Sequence, residues 1–252
     1  MKILLTGYKG YIGKRLYEKL TNDGHSIIGL DILDGNDLNA CDIKFDIDLI
    51  IHLAGKSGVR DSFNDPGSYW SNNVEASRRL FKTYKNTRIM YASSSTVYEP
   101  TLNPYANSKK VMEEIAPHNS LGLRLHTVYN EAPRKGMFMD KLLNNSLEYV
   151  TDHSRDFIHL EDVCGAIIRL MNYNMIGTID IGTGESVPIR ELAPEGLPIK
   201  TDTPGERQST KAYTKTLESI GFKPKYSVRN FLNNHRQSSI IKTDGEKNER
   251  HS

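Results

Sequence analysis

The chain has 252 residues, 37% of them hydrophobic and 25% charged, with a formal net charge of +2. That length builds one large domain, or one domain with a smaller lobe. The mixed charge gives no basic stripe for nucleic acid, and no run of 18 apolar residues would cross a membrane.

From the first residues, Lys2-Ile-Leu-Leu-Thr6 is a short apolar run of the kind a buried parallel strand requires. Gly7-Tyr-Lys9-Gly10-Tyr11-Ile12-Gly13 follows, then apolar residues at helical spacing (Ile12, Leu16, Tyr17, Leu20). Glycines at a strand-to-helix turn let the backbone approach a pyrophosphate, whose charge the helix N-terminus favours. A second strand, Ser26 to Leu30, ends in Asp31. A carboxylate about twenty residues past the glycines accepts both ribose hydroxyls of adenosine and repels a 2′-phosphate, which argues for NAD over NADP.

Asp48 to Gly55 reads as a strand entering a small-residue turn, and Tyr69 to Tyr84 as a long helix. Arg88 to Ala92 is a strand leading into Ser93-Ser94-Ser95, and Pro104 opens a helix carrying Tyr105 and Lys109. Further on come a strand at Leu121–Leu125, a helix at Glu161–Met171 and a strand at Gly177–Ile181. Such alternation predicts an α/β fold, a Rossmann-type doubly wound parallel sheet with helices on both faces. The glycine turn, Asp31, Ala54-Gly55 and Ser94 all fall at strand C-terminal ends, where ligands of such sheets bind.

Tyr105 and Lys109 stand four apart, so both side chains leave one face of the helix. An ammonium beside a phenol favours the phenolate and lowers its pKa, making a general acid/base for an alcohol. The spacing alone is weak, since 13 tyrosines among this many lysines supply about one such pair by chance. Its setting after a serine run and a glycine turn gives it weight. Cys41 and Cys164 lie far apart with no metal-ligand spacing, so no metal is expected and both read as reduced thiols of a cytoplasmic protein. The first strand begins at residue 2, leaving no room for a signal peptide.

These segments together resemble the NAD-dependent epimerase/dehydratase family, the extended short-chain dehydrogenase/reductases, and within it the UDP-sugar 4-epimerases. The likeness runs from Met1 to about Leu232. Its segments include Thr6 to Gly13, His52-Leu53-Ala54-Gly55, Asn72-Asn73-Val74, Ser93 to Tyr98, the Tyr105/Lys109 pair, Arg155 to Asp162, Ile181 to Ser186 and Gly221 to Tyr226. The resemblance implies an NAD-binding domain over residues 1–130, completed by about 155–182. It also implies a substrate-binding lobe from about 131–154 and 183–235, and the polar residues 236–252 read as a disordered tail.

The resemblance implies Ser94, Tyr105 and Lys109 as catalytic residues, with Lys109 also holding the nicotinamide ribose. For the cofactor it implies Gly7, Lys9, Gly10, Tyr11, Ile12, Gly13, Asp31, Ile32, Leu53, Ala54, Gly55, Lys56 and Asn73, with Asp42 and Ile43 flanking the adenine. For the nucleotide-diphosphate sugar it implies Ser94, Thr127 and Arg134 near the sugar and Arg155 and Arg207 at the diphosphate. An ion pair of Arg155 with Asp156 or Glu161 is the alternative for that arginine. A two-fold homodimer through the helices at 69–84 and 104–115 is also implied.

The sequence departs from the family in places. Few residues separate Asp42-Ile43 from the strand at Asp48, where a full helix is usual, so that flank of the sheet must be thin. Glu99 and Asn130 stand where glycines are customary. Thr127-Val-Tyr129 followed by Arg134 is closer to the uronic-acid epimerases, giving weight to an acidic sugar. Ser95 and Thr96 occupy positions where dehydratases and decarboxylases keep an acid, and neither titrates near neutrality. The residues therefore fit epimerisation. A dehydratase, decarboxylase or reductase on the same scaffold is the alternative, and a non-catalytic NAD-binding module ranks behind.

Overall fold

The structure, a computed structural model, describes residues 1–237. Its centre is a six-stranded sheet built from β1 (Lys2–Thr6), β2 (Ser26–Leu30), β3 (Leu49–His52), β4 (Arg88–Ser94), β5 (Ser120–Leu125) and a last strand, Gly177–Ile181. The order is β2-β1-β3-β4-β5 and then Gly177–Ile181, and every pairing is parallel. Strand order reverses between β1 and β3, which opens a crevice at their C-terminal ends. The expected doubly wound sheet is therefore present.

Each face of the sheet buries its own apolar layer. On one side α1 (Tyr11–Asn22) and the helix Leu160–Met171 pack Leu16, Leu20, Val163, Ile167 and Leu170 against Ile3, Leu5 and Ile51. On the other, Leu80, Phe81, Tyr84 and Met112 meet Leu4, Ile50, Ile89 and Tyr91. A third cluster unites Tyr129, Met139, Leu142, Val150 and Phe157 with Val187, Leu192, Val228 and Leu232, drawing on the two segments assigned to the lobe. A terminal helix, 228–237, takes in the first two residues of the expected tail; the rest of that tail lies outside the described residues.

The flank beyond β2 is thin. Between Leu30 and Leu49 there is a short 3-10 turn at Ile32–Asp34 and otherwise irregular chain. Tyr84 secures it: its hydroxyl accepts from the Phe45 N–H at 2.7 Å and donates to the Ile43 carbonyl. Arg79 donates to the Leu38 carbonyl at 2.6 Å, and Leu38 and Ile43 are buried below. The helix expected at 69–84 is a run of helical turns from Pro66 to Thr83, interrupted at Ser71–Glu75 by one π turn. Its apolar side chains Tyr69, Val74, Leu80 and Phe81 are all buried within the protomer, as is Met112 of the helix Pro104–Ile115. Outward these helices show Trp70, Arg78, Lys82, Asn107 and Glu114.

Asp156, fully buried, joins sheet and lobe. Its Oδ1 accepts the Thr183 N–H and hydroxyl, both at 2.8 Å, and its Oδ2 accepts the Gly184 and Ala212 N–H groups at 2.8 and 3.0 Å. A carboxylate accepts four such bonds, whereas an amide turns a donor toward two of them. Asp156→Asn should therefore lower unfolding stability by about 2–4 kcal/mol, measured by denaturant titration. A loss under half a kcal/mol would show that the junction does not depend on this charge.

Candidate active site

The glycine turn sits where β1 leaves the sheet. Gly7 has φ +72°, and a Cβ there would lie 2.6 Å from the Ala54 nitrogen; a Cβ on Gly13 would fall 2.0 Å from the Gly7 carbonyl oxygen. Only glycine permits that packing. Among the described residues, no side chain caps the free N–H groups at the N-terminus of α1, where Gly10 is the cap residue. This is the arrangement that receives a phosphate. At the end of β2, Asp31 is buried, its Oδ2 accepting the Lys9 N–H and its Oδ1 the Leu33 N–H, each at 3.0 Å. Each oxygen keeps a second lone pair for a ribose hydroxyl.

Pro104 opens the helix Pro104–Ile115, and Asn103 caps it by accepting the Ala106 N–H at 2.7 Å. That start brings Tyr105 over the end of β4, beside Ser94, with the Tyr69 ring edge-on at 6.0 Å. Lys109 follows one turn later, 5% exposed, and donates to the Ala92 carbonyl at 2.8 Å. Asn73, in the π turn, accepts the Lys56 N–H at 2.8 Å and donates to the Lys56 carbonyl and the Ser108 hydroxyl at 3.0 and 2.9 Å. The π turn thus fixes the Ala54-Gly55-Lys56 corner. Beneath it His52 lies between the hydroxyls of Thr6 (2.7 Å) and Ser77 (2.9 Å), its pKa lowered to about 3 by burial and by Lys109.

One cavity of about 1250 Å³ joins these parts. Of the expected cofactor residues, Gly7, Gly10, Tyr11, Ile12, Gly13, Leu53, Gly55 and Lys56 line it, as do Ser94, Tyr105 and Lys109. So do all the expected substrate residues, Thr127, Arg134, Arg155 and Arg207. Lys9, Asp31, Ile32, Asp42, Ile43, Ala54 and Asn73 stand outside its wall. Asp42 is exposed, while Ile43 is turned into the core by the Tyr84 contact. The thin flank leaves Ile32 and Leu33 64% and 73% exposed.

The arginines arrive already paired. Arg155 meets neither Asp156 nor Glu161. It bonds Glu206 at 3.0 Å and the Arg207 carbonyl at 2.8 Å, while Glu161 holds Arg15 and Lys19. Arg207 reaches Glu99 at 2.7 Å and the Ser95 carbonyl at 2.9 Å. Arg134 donates to the hydroxyl and carbonyl of Ser57. Sequence reasoning passed over Arg60 and Glu206. Arg60 lines the cavity and bonds Glu206 at 3.0 Å, and His153 stands 3.6 Å from the same carboxylate. The signal was faint, an acid beside Arg207 in Pro-Gly-Glu-Arg. The two substituted glycine positions also have partners, since Glu99 takes Arg207 and Asn130 accepts the Tyr11 hydroxyl at 2.8 Å.

The expected lowering of the Tyr105 pKa is not found. Burial holds the phenol above its ordinary value, with the Ser94 hydrogen bond and the Arg134 charge pulling it partly back. Burial also lowers Lys109 from 10.5 to about 8, opposed by the charge of Glu113. Desolvation outweighs the pairing that sequence spacing suggests.

The fold and these side chains define a class: a nucleotide-binding α/β enzyme with a Ser/Tyr/Lys centre beside a dinucleotide turn. The NAD dependent epimerase/dehydratase family matches residues 3–182, and the chain belongs to that family. A putative UDP-glucose 4-epimerase of Methanocaldococcus jannaschii is 30% identical, the match covering 90% of this chain and 94% of that one. Protein CapI of Staphylococcus aureus is 28% identical over 68% of this chain and 69% of its own. Among solved structures, MoeE5 in complex with UDP-glucuronic acid and NAD superposes with a TM-score of 0.82, at 25% identity, over 95% of this chain and 100% of that one. The family is NAD-dependent, and the glycine turn, uncapped α1 and Asp31 fit that cofactor.

The buried ammonium has a measurable cost. Unfolded chains take up the Lys109 proton below about 10.5, the folded protein only below about 8, so stability falls as pH drops through that interval. Below about 8 the cost is complete. Lys109→Met should therefore raise unfolding stability at pH 7 by about 1–3 kcal/mol, and the gain should fade toward pH 10.5. Denaturant titrations at pH 7 and pH 10 check this, and a variant less stable than the native chain at both would contradict it.

Proposed function

We propose that the chain is an NAD-dependent nucleotide-sugar epimerase, acting at carbon 4 of a UDP-hexose or UDP-hexuronic acid through a keto-sugar. The observation that carries this reading is the meeting of Ser94, Tyr105 and Lys109 with the glycine turn in one cavity. Tyr105 takes the proton of the sugar hydroxyl and later gives it back, and the Ser94 hydroxyl orients that oxygen. NAD, when bound, supplies the reversible hydride acceptance that oxidises and re-reduces the carbon. Lys109, protonated at neutral pH one turn along the same helix, keeps a positive charge in the cavity that would offset part of the cost of the phenolate. The keto-sugar must then turn within the cavity and be reduced on its other face.

Arg155 and Arg207, both lining the cavity, would take the diphosphate, whose oxygens would compete with Glu206 and Glu99 for the guanidinium forks. Arg134 and Thr127, which also line the cavity, are the residues that would favour an acidic sugar; MoeE5 itself is seen with both UDP-glucuronic acid and UDP-glucose. Elimination or decarboxylation fits less well, because Ser95 and Thr96 carry no acid beside the reacting carbon. A reductase would call for NADP, which Asp31 disfavours.

Incubation with UDP-glucose, UDP-galactose and the two UDP-hexuronic acids, followed by separation of epimers, tests the reaction. Tyr105→Phe should lower kcat by about 10²–10⁴ while binding NAD and folding as the native chain does. Near-native turnover in that variant would remove Tyr105 from the proposed role.

A further inference from the structure

The glycine turn carries a cation whose placement the fold controls closely. Lys9 stands between Gly7 and Gly10, and its N–H is the donor to Asp31 Oδ2 at 3.0 Å. Its side chain therefore departs from the point where Asp31 would meet the adenosine ribose. Its ammonium pairs with Asp34 Oδ1. The other oxygen of Asp34 accepts the Tyr8 hydroxyl at 2.7 Å. Asp34 closes the 3-10 turn that Asp31 begins, its N–H bonding the Asp31 carbonyl at 3.0 Å. Tyr8 is itself wedged, its ring filling the space a Cβ on Gly29 would need and lying 5.3 Å from the Tyr17 ring. Two donors from the glycine turn thus fix one carboxylate three residues beyond the ribose-binding acid.

We propose that Asp34 is a second determinant of cofactor choice: by holding Lys9 it withdraws the cation that a 2′-phosphate would need. The proposal rests on the dinucleotide lying over the Gly7–Gly13 turn, not on the sugar chemistry. Asp31 and Asp34 bring two negative charges to this corner and Lys9 one positive. A 2′-phosphate adds about two more negative charges beside Asp31, with the local ammonium already neutralised. Removing the Asp34 charge frees Lys9 to swing to the ribose, since the pair is about one-third exposed and the lysine stem is flexible. A plain structural staple predicts something else, namely equal weakening of NAD and NADP when the staple is cut.

Cofactor-stripped protein titrated calorimetrically with NAD and with NADP separates these cases. Native protein should prefer NAD. Asp34→Asn should narrow the preference about three- to tenfold through tighter NADP binding, with the gain shrinking at high salt. Lys9→Met in the Asp34→Asn background should abolish that gain. An unchanged NAD/NADP ratio in Asp34→Asn, equal weakening of both, or a gain that survives loss of Lys9 would overturn the proposal. Native protein binding neither dinucleotide would overturn the placement beneath it. No sugar enters these titrations, so failure of the epimerase reading would leave every outcome as stated.

Discussion

The burial of one ammonium organises this site. Lys109 lies under the sheet end at 5% exposure, 3.4 Å from where a Cβ on Gly55 would sit. A desolvated cation requires fixed partners, and the structure provides two. The Ala92 carbonyl at the end of β4 accepts directly. Glu113, one turn farther along the same helix, supplies negative charge and is itself pinned by the Ser93 hydroxyl at 2.6 Å and a two-pronged contact from Arg124 at 2.8 and 2.9 Å. With the helix locked to β4 and β5 in this way, Tyr105 is delivered over Ser94 in one register. Asn73 and Gly55 close the corner beside it.

The opposite wall balances its charge differently. Arg60, Arg155 and His153 converge on the single carboxylate of Glu206. That carboxylate lines the cavity next to Gly205, whose carbonyl accepts a hydrogen bond from Asn103 at the start of the Tyr105 helix. An anionic ligand there would exchange one set of partners for another without having to bring cations together. Lys109 is held by buried, fixed groups, whereas these arginines are held by an exchangeable one.

Much of this was legible in the sequence. The glycine turn, Asp31 and the six sheet strands are local patterns, each read from a few adjacent residues, and Pro104 announced the helix that carries Tyr105 and Lys109. The thin flank was legible too, because too few residues separate Ile43 from β3 to build a helix. What escaped depends on contacts between distant segments. Arg60 and Glu206 are 146 positions apart. The four bonds of Asp156 come from turns near 183 and 212. A π turn has no residue signature of its own. The direction of the Tyr105 pKa was misjudged because spacing reports which groups are neighbours, while burial of the finished site decides which charges survive.

The central claim, that Tyr105 and its neighbours serve reversible oxidation at one sugar carbon, is tested most directly by isotope. A UDP-hexose and a UDP-hexuronic acid, each deuterated at carbon 4, should be turned over by the holoenzyme in ordinary water and the separated products examined by mass spectrometry. The account predicts that the substrate used gives an epimer keeping its deuterium at carbon 4, because the hydride leaves and returns within one closed site. Epimer carrying solvent hydrogen at that carbon, or conversion of neither sugar, would contradict it.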